Sequence, residues 1–181
     1  MSSVFFEFAA ARRNGRPHGV TSVCSAHPTV LKAALRRAKQ TGHYVLVEAT
    51  CNQVNHLGGY TGMTPKDFVS LVSDLARKEE LDPSYLLFGG DHLGPNPWRS
   101  EPAGSAMAKA KEMVKAYVAA GFTKIHIDAS MACGGEAQPL SDRTIAERAA
   151  ALCRVAEDTA DQLGMLKPVY ILGTEVPVPG G

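Results

Sequence analysis

"LLFGGDHLGPNPW" spans residues 86–98. Three apolar residues run into Gly89 and Gly90, then Asp91 and His92, then a loop stiffened by Pro95 and Pro97. A buried strand can end on glycines so that neighbouring groups approach closely. An acid and an imidazole set just after such a strand, on a rigid loop, read as working groups.

Outward from this stretch the chain alternates. The β-branched apolar segments are "GVTSVCS" (19–25), "YVLVEAT" (44–50), "YLLFGG" (85–90), "KIHIDAS" (124–130) and "VYILGTE" (169–175). Helical periodicity and helix punctuation fill the gaps. Pro28 opens a helix over 28–41 that stops at Gly42. Thr64-Pro65-Lys66-Asp67 supplies a cap, a first-turn proline and a first-turn acid for a helix reaching about Glu80. An Ala-, Lys- and Met-rich helix over 104–120 stops at Gly121, and Ser141 caps a long helix ending near Gly164. An amphipathic piece at about 3–13, within an N-terminal helical segment 1–16, precedes the first strand and is placed to plug the end of a barrel.

Strand, helix, strand, helix predicts an α/β fold with a parallel sheet and helical crossovers. Both an open doubly wound sheet and a (β/α)8 TIM barrel fit the order. Five strands and four crossover helices fall short of the roughly 250 residues of a full barrel. The expectation is therefore one barrel domain over 1–181, holding about the first five strands and four helices and cut short at its C-terminus.

Bulk properties exclude several classes of partner. The 181 residues are 45% hydrophobic and 20% charged, with 19 basic and 18 acidic side chains. So balanced a chain has no global field to attract nucleic acid or an anionic membrane. No apolar run approaches a membrane span, and "VFFEFAAA" is followed rather than preceded by Arg12 and Arg13, the wrong order for a secretory leader. Cys24, Cys51, Cys133 and Cys153 form no C-x-x-C pair and read as reduced, mostly buried thiols of a cytoplasmic protein.

In parallel α/β folds the site forms where the strands end. Those ends supply Ser25 and His27; Glu48, Asn52, Gln53 and Asn55; Asp91 and His92; His126, Asp128 and Ser130; and Glu175. One imidazole and two carboxylates from successive strands, His92, Asp128 and Glu175, could bind a divalent metal with positions open for substrate oxygens. The plainer alternative is that the acids cap loops and His92 bonds backbone. His126 alternates with Asp128 and fits a core filler or a partner of a ligand as readily as a ligand. Trp98 reads as packing under its loop. Ser25, Asn52, Gln53 and Ser130 are candidate substrate contacts. The glycines of "HLGGYTGMTP" (56–65) do not match the Walker pattern, so a kinase role has no sequence support.

Five motifs together, "SVCSAHP", "VEATCNQVNHLGGYTGMTP", "GGDHLGPNPW", "KIHIDAS" and "GTEVPVPGG", resemble the GatZ/KbaZ family, the Z subunits of D-tagatose-1,6-bisphosphate aldolase, from about Pro17 to Gly181. The resemblance implies a TIM barrel and a place in tagatose, galactitol or N-acetylgalactosamine catabolism. It also implies kinship with the class II, metal-dependent ketose-bisphosphate aldolases. From that kinship Asp91 would be the proton-transfer acid and His92 a metal ligand, with Asp128 and Glu175 near the cation, most often zinc. The Z subunit is regarded as non-catalytic, a stabilising and activating partner of the catalytic Y subunit in an oligomeric assembly. Relatives are proposed instead to epimerise ketohexoses at C4 by retro-aldol chemistry. Phosphorylated ketoses or ketohexoses are the implied small-molecule partners.

Overall fold

The computed structural model describes residues 4–16 and 18–173. The elements in order are α1 (Val4–Arg13), β1 (Thr21–Cys24), α2 (Pro28–Thr41), β2 (Val45–Thr50), α3 (Pro65–Lys78), β3 (Leu86–Leu93), α4 (Ala103–Ala119), β4 (Lys124–Ile127), α5 (Asp142–Gln162) and β5 (Val169–Leu172). No helix among the described residues is long and apolar enough to cross a membrane.

Helix boundaries follow the punctuation. His27 caps α2, its Nδ1 accepting the Thr29 N–H at 3.2 Å, and Gly42 ends the helix at φ 64°. Thr64 and Asp67 form a reciprocal capping box on α3. Ser141 accepts the Thr144 N–H at the start of α5.

All five strands pair in parallel, in the order β1-β2-β3-β4-β5. That sequential order separates this sheet from the doubly wound one, whose order reverses at its middle. Right-handed crossovers that always advance in one direction put their helices on one face. Consecutive helices do pack together: α2 on α3, α3 on α4, α4 on α5. Val45, Val47, Ala49, Ile125 and Ile127 face those helices and meet Phe68, Met113, Tyr117 and Leu152 in a fully buried core. Beneath the sheet, Phe8 of α1 packs edge-on against Tyr44, just before β2, and Tyr44 against Tyr85, just before β3. The helix thus sits at the end where the strands begin.

The opposite face carries the charged side chains of the sheet. Row by row, Cys24 pairs with Glu48, Glu48 with Gly89, and Gly89 with Lys124. Glu48 and Lys124 sit two strands apart, yet their side chains form an ion pair that is 93% buried on each side. Gly89 makes that possible: a Cβ there would stand 2.6 Å from Glu48 Oε1 and 3.1 Å from Lys124 Cδ. Ser22 Oγ donates to the other oxygen of Glu48.

At the far end, β3 and β4 close on each other at Gly94, where an added Cβ would fall on the carbonyl oxygen of Asp128. Backbone cannot swing aside as a side chain can. Gly94→Ala is expected to cost about 3 kcal/mol or more, as overpacking against a fixed group does. Urea unfolding of wild type and variant measures it.

A candidate active site on a bulged strand

Sequence places Asp91 and His92 on a loop after the third strand; in the structure β3 continues through Leu93. Regular pairing breaks between Gly90 and Leu93. Gly90 faces the helices, since a Cβ there would touch Tyr117, and Leu93 packs into the same core. Two residues on one face are normally two apart; here they are three apart, so one residue is spare. That residue is His92, whose φ of 49° lies in the left-handed region that side chains seldom adopt. A bulge of this kind re-aims a side chain. In a regular strand Asp91 and His92 would point to opposite faces; on the bulge they meet, His92 Nδ1 lying 3.2 Å from Asp91 Oδ1.

His126 completes the group from β4. Its Nδ1 lies 3.0 Å from the same Asp91 Oδ1, and the two imidazole rings are 4.2 Å apart between centroids. Among the described residues its Nε2 is buried without a hydrogen-bond partner, against Gly173, whose Cβ would stand 2.7 Å away. The other carboxylate oxygen, Asp91 Oδ2, lies 3.6 Å from Cys24 Sγ. Asp91 is thus a hub for groups from β1, β3 and β4.

Burial pushes the Asp91 carboxyl up, but the His126 hydrogen bond, the His92 and Lys124 charges and the His92 hydrogen bond together outweigh it and hold it below the usual carboxylate range. A lowered folded-state pKa contributes stability that is complete above the unfolded value and lost as pH falls through the folded one. The stability gap between wild type and Asp91→Asn should therefore narrow as the pH falls from about 5 through and below the ordinary carboxylate range. Unfolding by urea across that range, followed by circular dichroism, checks it. Although the residue as a whole is exposed, partial burial of its sulfur, followed by the neighbouring Asp91, pushes the Cys24 thiol up to about 12.

The remaining sequence candidates separate. Asp128 is buried and its Oδ1 accepts from both the Ser130 N–H (3.1 Å) and the Ser130 hydroxyl (2.6 Å), which is the loop-capping arrangement. Glu175, expected beside His92 and Asp128, lies outside the described residues; among those described, His92 gathers with Asp91 and His126. Ser25 is half-buried and accepts the His27 N–H. Asn52 is exposed. Gln53 accepts the Thr50 N–H at 2.9 Å and sits 3.6 Å from Cys24 Sγ. Trp98 is buried under its loop, 5.5 Å from the His56 ring.

Two residues have no assigned place in the site from sequence: His126 stays open between core filler, partner and ligand, and Cys24 reads with the mostly buried thiols. Alternation along β4 put His126 on the inner face, but its partner lies 35 residues away in a different strand. Cys24, expected among mostly buried thiols, is exposed; its alternation with Ser22 along β1 was the available signal, and the register sets it opposite Glu48. All four thiols are free, with Cys51 and Cys133 buried.

One carboxylate oxygen and two imidazole nitrogens, from Asp91, His92 and His126, all lie within 4.8 Å of one another. Such an N, N, O set suits a divalent transition metal such as zinc.

Comparison with known proteins converges on one family. The profile described as "D-tagatose-1,6-bisphosphate aldolase subunit GatZ/KbaZ-like" matches residues 5–181. A D-tagatose 6-phosphate 4-epimerase of Agrobacterium fabrum is 64% identical over 181 residues, 100% of this chain and 43% of the relative. The aldolase subunit GatZ of Salmonella heidelberg is 51% identical over 175 residues, 97% of this chain and 41% of that one. A crystal structure described as a probable tagatose 6 phosphate kinase from Sinorhizobium meliloti superimposes with a TM-score of 0.81 at 54% identity, covering 90% of this chain and 41% of that one. The chain spans about two-fifths of the length of these relatives.

Proposed function

The chain belongs to the GatZ/KbaZ-like family of D-tagatose-1,6-bisphosphate aldolase subunits, and from that premise we propose that the full-length protein is itself catalytic, a metal-dependent C4 epimerase of a ketohexose or its phosphate. The observation that carries this is the Asp91–His92–His126 cluster on a strained bulge. Strain at a non-glycine residue persists where the surroundings enforce it, and it gathers at functional sites. A carboxylate shared by two imidazoles is an arrangement suited to proton transfer and metal binding. The 64% identity to an epimerase points the same way.

In this reading the five strands are the first five of a (β/α)8 barrel, supported by their sequential order and one-sided helices. His92 and His126 would hold the cation beside Asp91, and Asp128 and Glu175 stay candidates as further acids for it. When bound, the cation polarises the ketose carbonyl as a Lewis acid. Asp91 moves the proton. Its Oδ2 takes the hydrogen of the C4 hydroxyl as the C3–C4 bond opens, and returns it after the aldehyde has turned and the bond has re-formed on the other face. Ser25, Asn52, Gln53 and Ser130 hold the substrate hydroxyls. Release of the fragments instead would be aldolase chemistry.

A second reading rests on the 51% identity to GatZ: the protein assembles with a class II catalytic Y subunit and stabilises it in tagatose or galactitol breakdown. Four free thiols fit the reducing cytoplasm in either case.

Metal analysis of the full-length protein, with D-tagatose 6-phosphate turnover measured with and without a catalytic subunit, tests both. Tight metal and turnover by the protein alone support the epimerase. No turnover alone, with a longer half-life of the partner, supports the accessory role.

A further inference from the structure

Cys24 lies on the inner face of β1, and its sulfur reaches two oxygens, Oδ2 of Asp91 and Oε1 of Gln53, each at 3.6 Å. A carboxylate and an amide oxygen only accept, so the sulfur is the donor, and its single hydrogen serves one of them at a time. Gln53 is held for this from behind, its Oε1 already accepting the Thr50 N–H at 2.9 Å. Asp91 Oδ1 is meanwhile occupied by both imidazoles. The thiol therefore contacts the one Asp91 oxygen that the imidazoles leave free.

We propose that Cys24 is a positioning residue for Asp91: its S–H fixes the carboxylate so that Oδ1 meets the two imidazoles and Oδ2 meets the substrate, and it turns to Gln53 when Oδ2 takes the substrate's proton. This rests on the proton-transfer role given to Asp91 above. No bond to sulfur forms or breaks. The proton leaves the substrate hydroxyl and lands on Oδ2, the S–H rotates to Gln53 Oε1, and return of the proton reverses both. The thiol keeps an acceptor at each end of the transfer, so no donor is stranded along the way.

The test uses full-length protein carrying Cys24→Ala, Cys24→Ser or Asp91→Asn. With D-tagatose 6-phosphate, Cys24→Ala should lower kcat about tenfold with KM changed less than about twofold. Cys24→Ser, which keeps a donor between the same two acceptors, should recover most of that loss. A kcat for Cys24→Ala equal to wild type overturns the proposal, as does a serine variant no better than alanine. A readout independent of turnover is the rate of iodoacetamide alkylation at Cys24, followed by peptide mass. Asp91→Asn should raise it several-fold by removing the charge beside the sulfur. If the wild type turns nothing over, the epimerase reading fails; the contact is still decided, because an unchanged alkylation rate in Asp91→Asn would refute it.

Discussion

Lys124→Met in the full-length protein is expected to lower its stability by about 3–5 kcal/mol, the cost of leaving one member of a buried ion pair alone. Among the described residues Glu48 would keep only the Ser22 hydroxyl as a partner, in surroundings that expose just 7% of its side chain. Water cannot reach it to compensate. Glu48→Met combined with Lys124→Met removes both charges and should restore more than half of the loss, since replacing a whole buried pair with apolar groups is often neutral. Gly89→Ala reaches the same pair by a different route, by placing a methyl group where the two side chains meet. Urea unfolding of the three variants is the measurement. A Lys124→Met protein within about 1 kcal/mol of wild type would mean the pair is hydrated and contributes as little as a surface pair does.

The second large effect is on chemistry. Asp91→Asn should reduce kcat for ketose epimerisation by about a thousandfold, within the range that a positioned acid–base group supplies. KM should change little, because the amide keeps the shape of the carboxylate. Asparagine can still accept from an imidazole, so the cluster's geometry survives while its capacity to take a proton does not. His92→Ala differs in kind: it is expected to lower bound metal as well as turnover. Steady-state kinetics and metal content of the two variants separate these outcomes. More than a tenth of wild-type activity in Asp91→Asn would remove it as the proton carrier.

Local signals carried most of the fold. Pro28, Gly42, Thr64 and Ser141 act within a turn of where they stand, so α2, α3 and α5 could be bounded without knowing what they pack against. The polar ends of the strands were legible for a similar reason, because parallel strands all deliver their last residues to one edge. What could not be read depends on neighbours distant in sequence. Gly89 and Gly90 look like a strand terminus, yet Gly89 lies inside β3 because Glu48 and Lys124 cross over it. The positive φ of His92 has no signature in an ordinary histidine. Asp128 was the reverse case. Its spacing to Ser130 is the mark of a self-capping loop, the plainer alternative in the sequence, and the structure shows that bond.

The extra residue in β3 has an evolutionary corollary. A shorter chain lacking position 92 would let Leu93 follow Gly90 at the ordinary two-residue interval and pair without interruption against β4. Such a deletant should resist denaturant better than its parent while losing the convergence of imidazole and carboxylate. Selection for robustness and selection for turnover pull on that single codon in opposite directions.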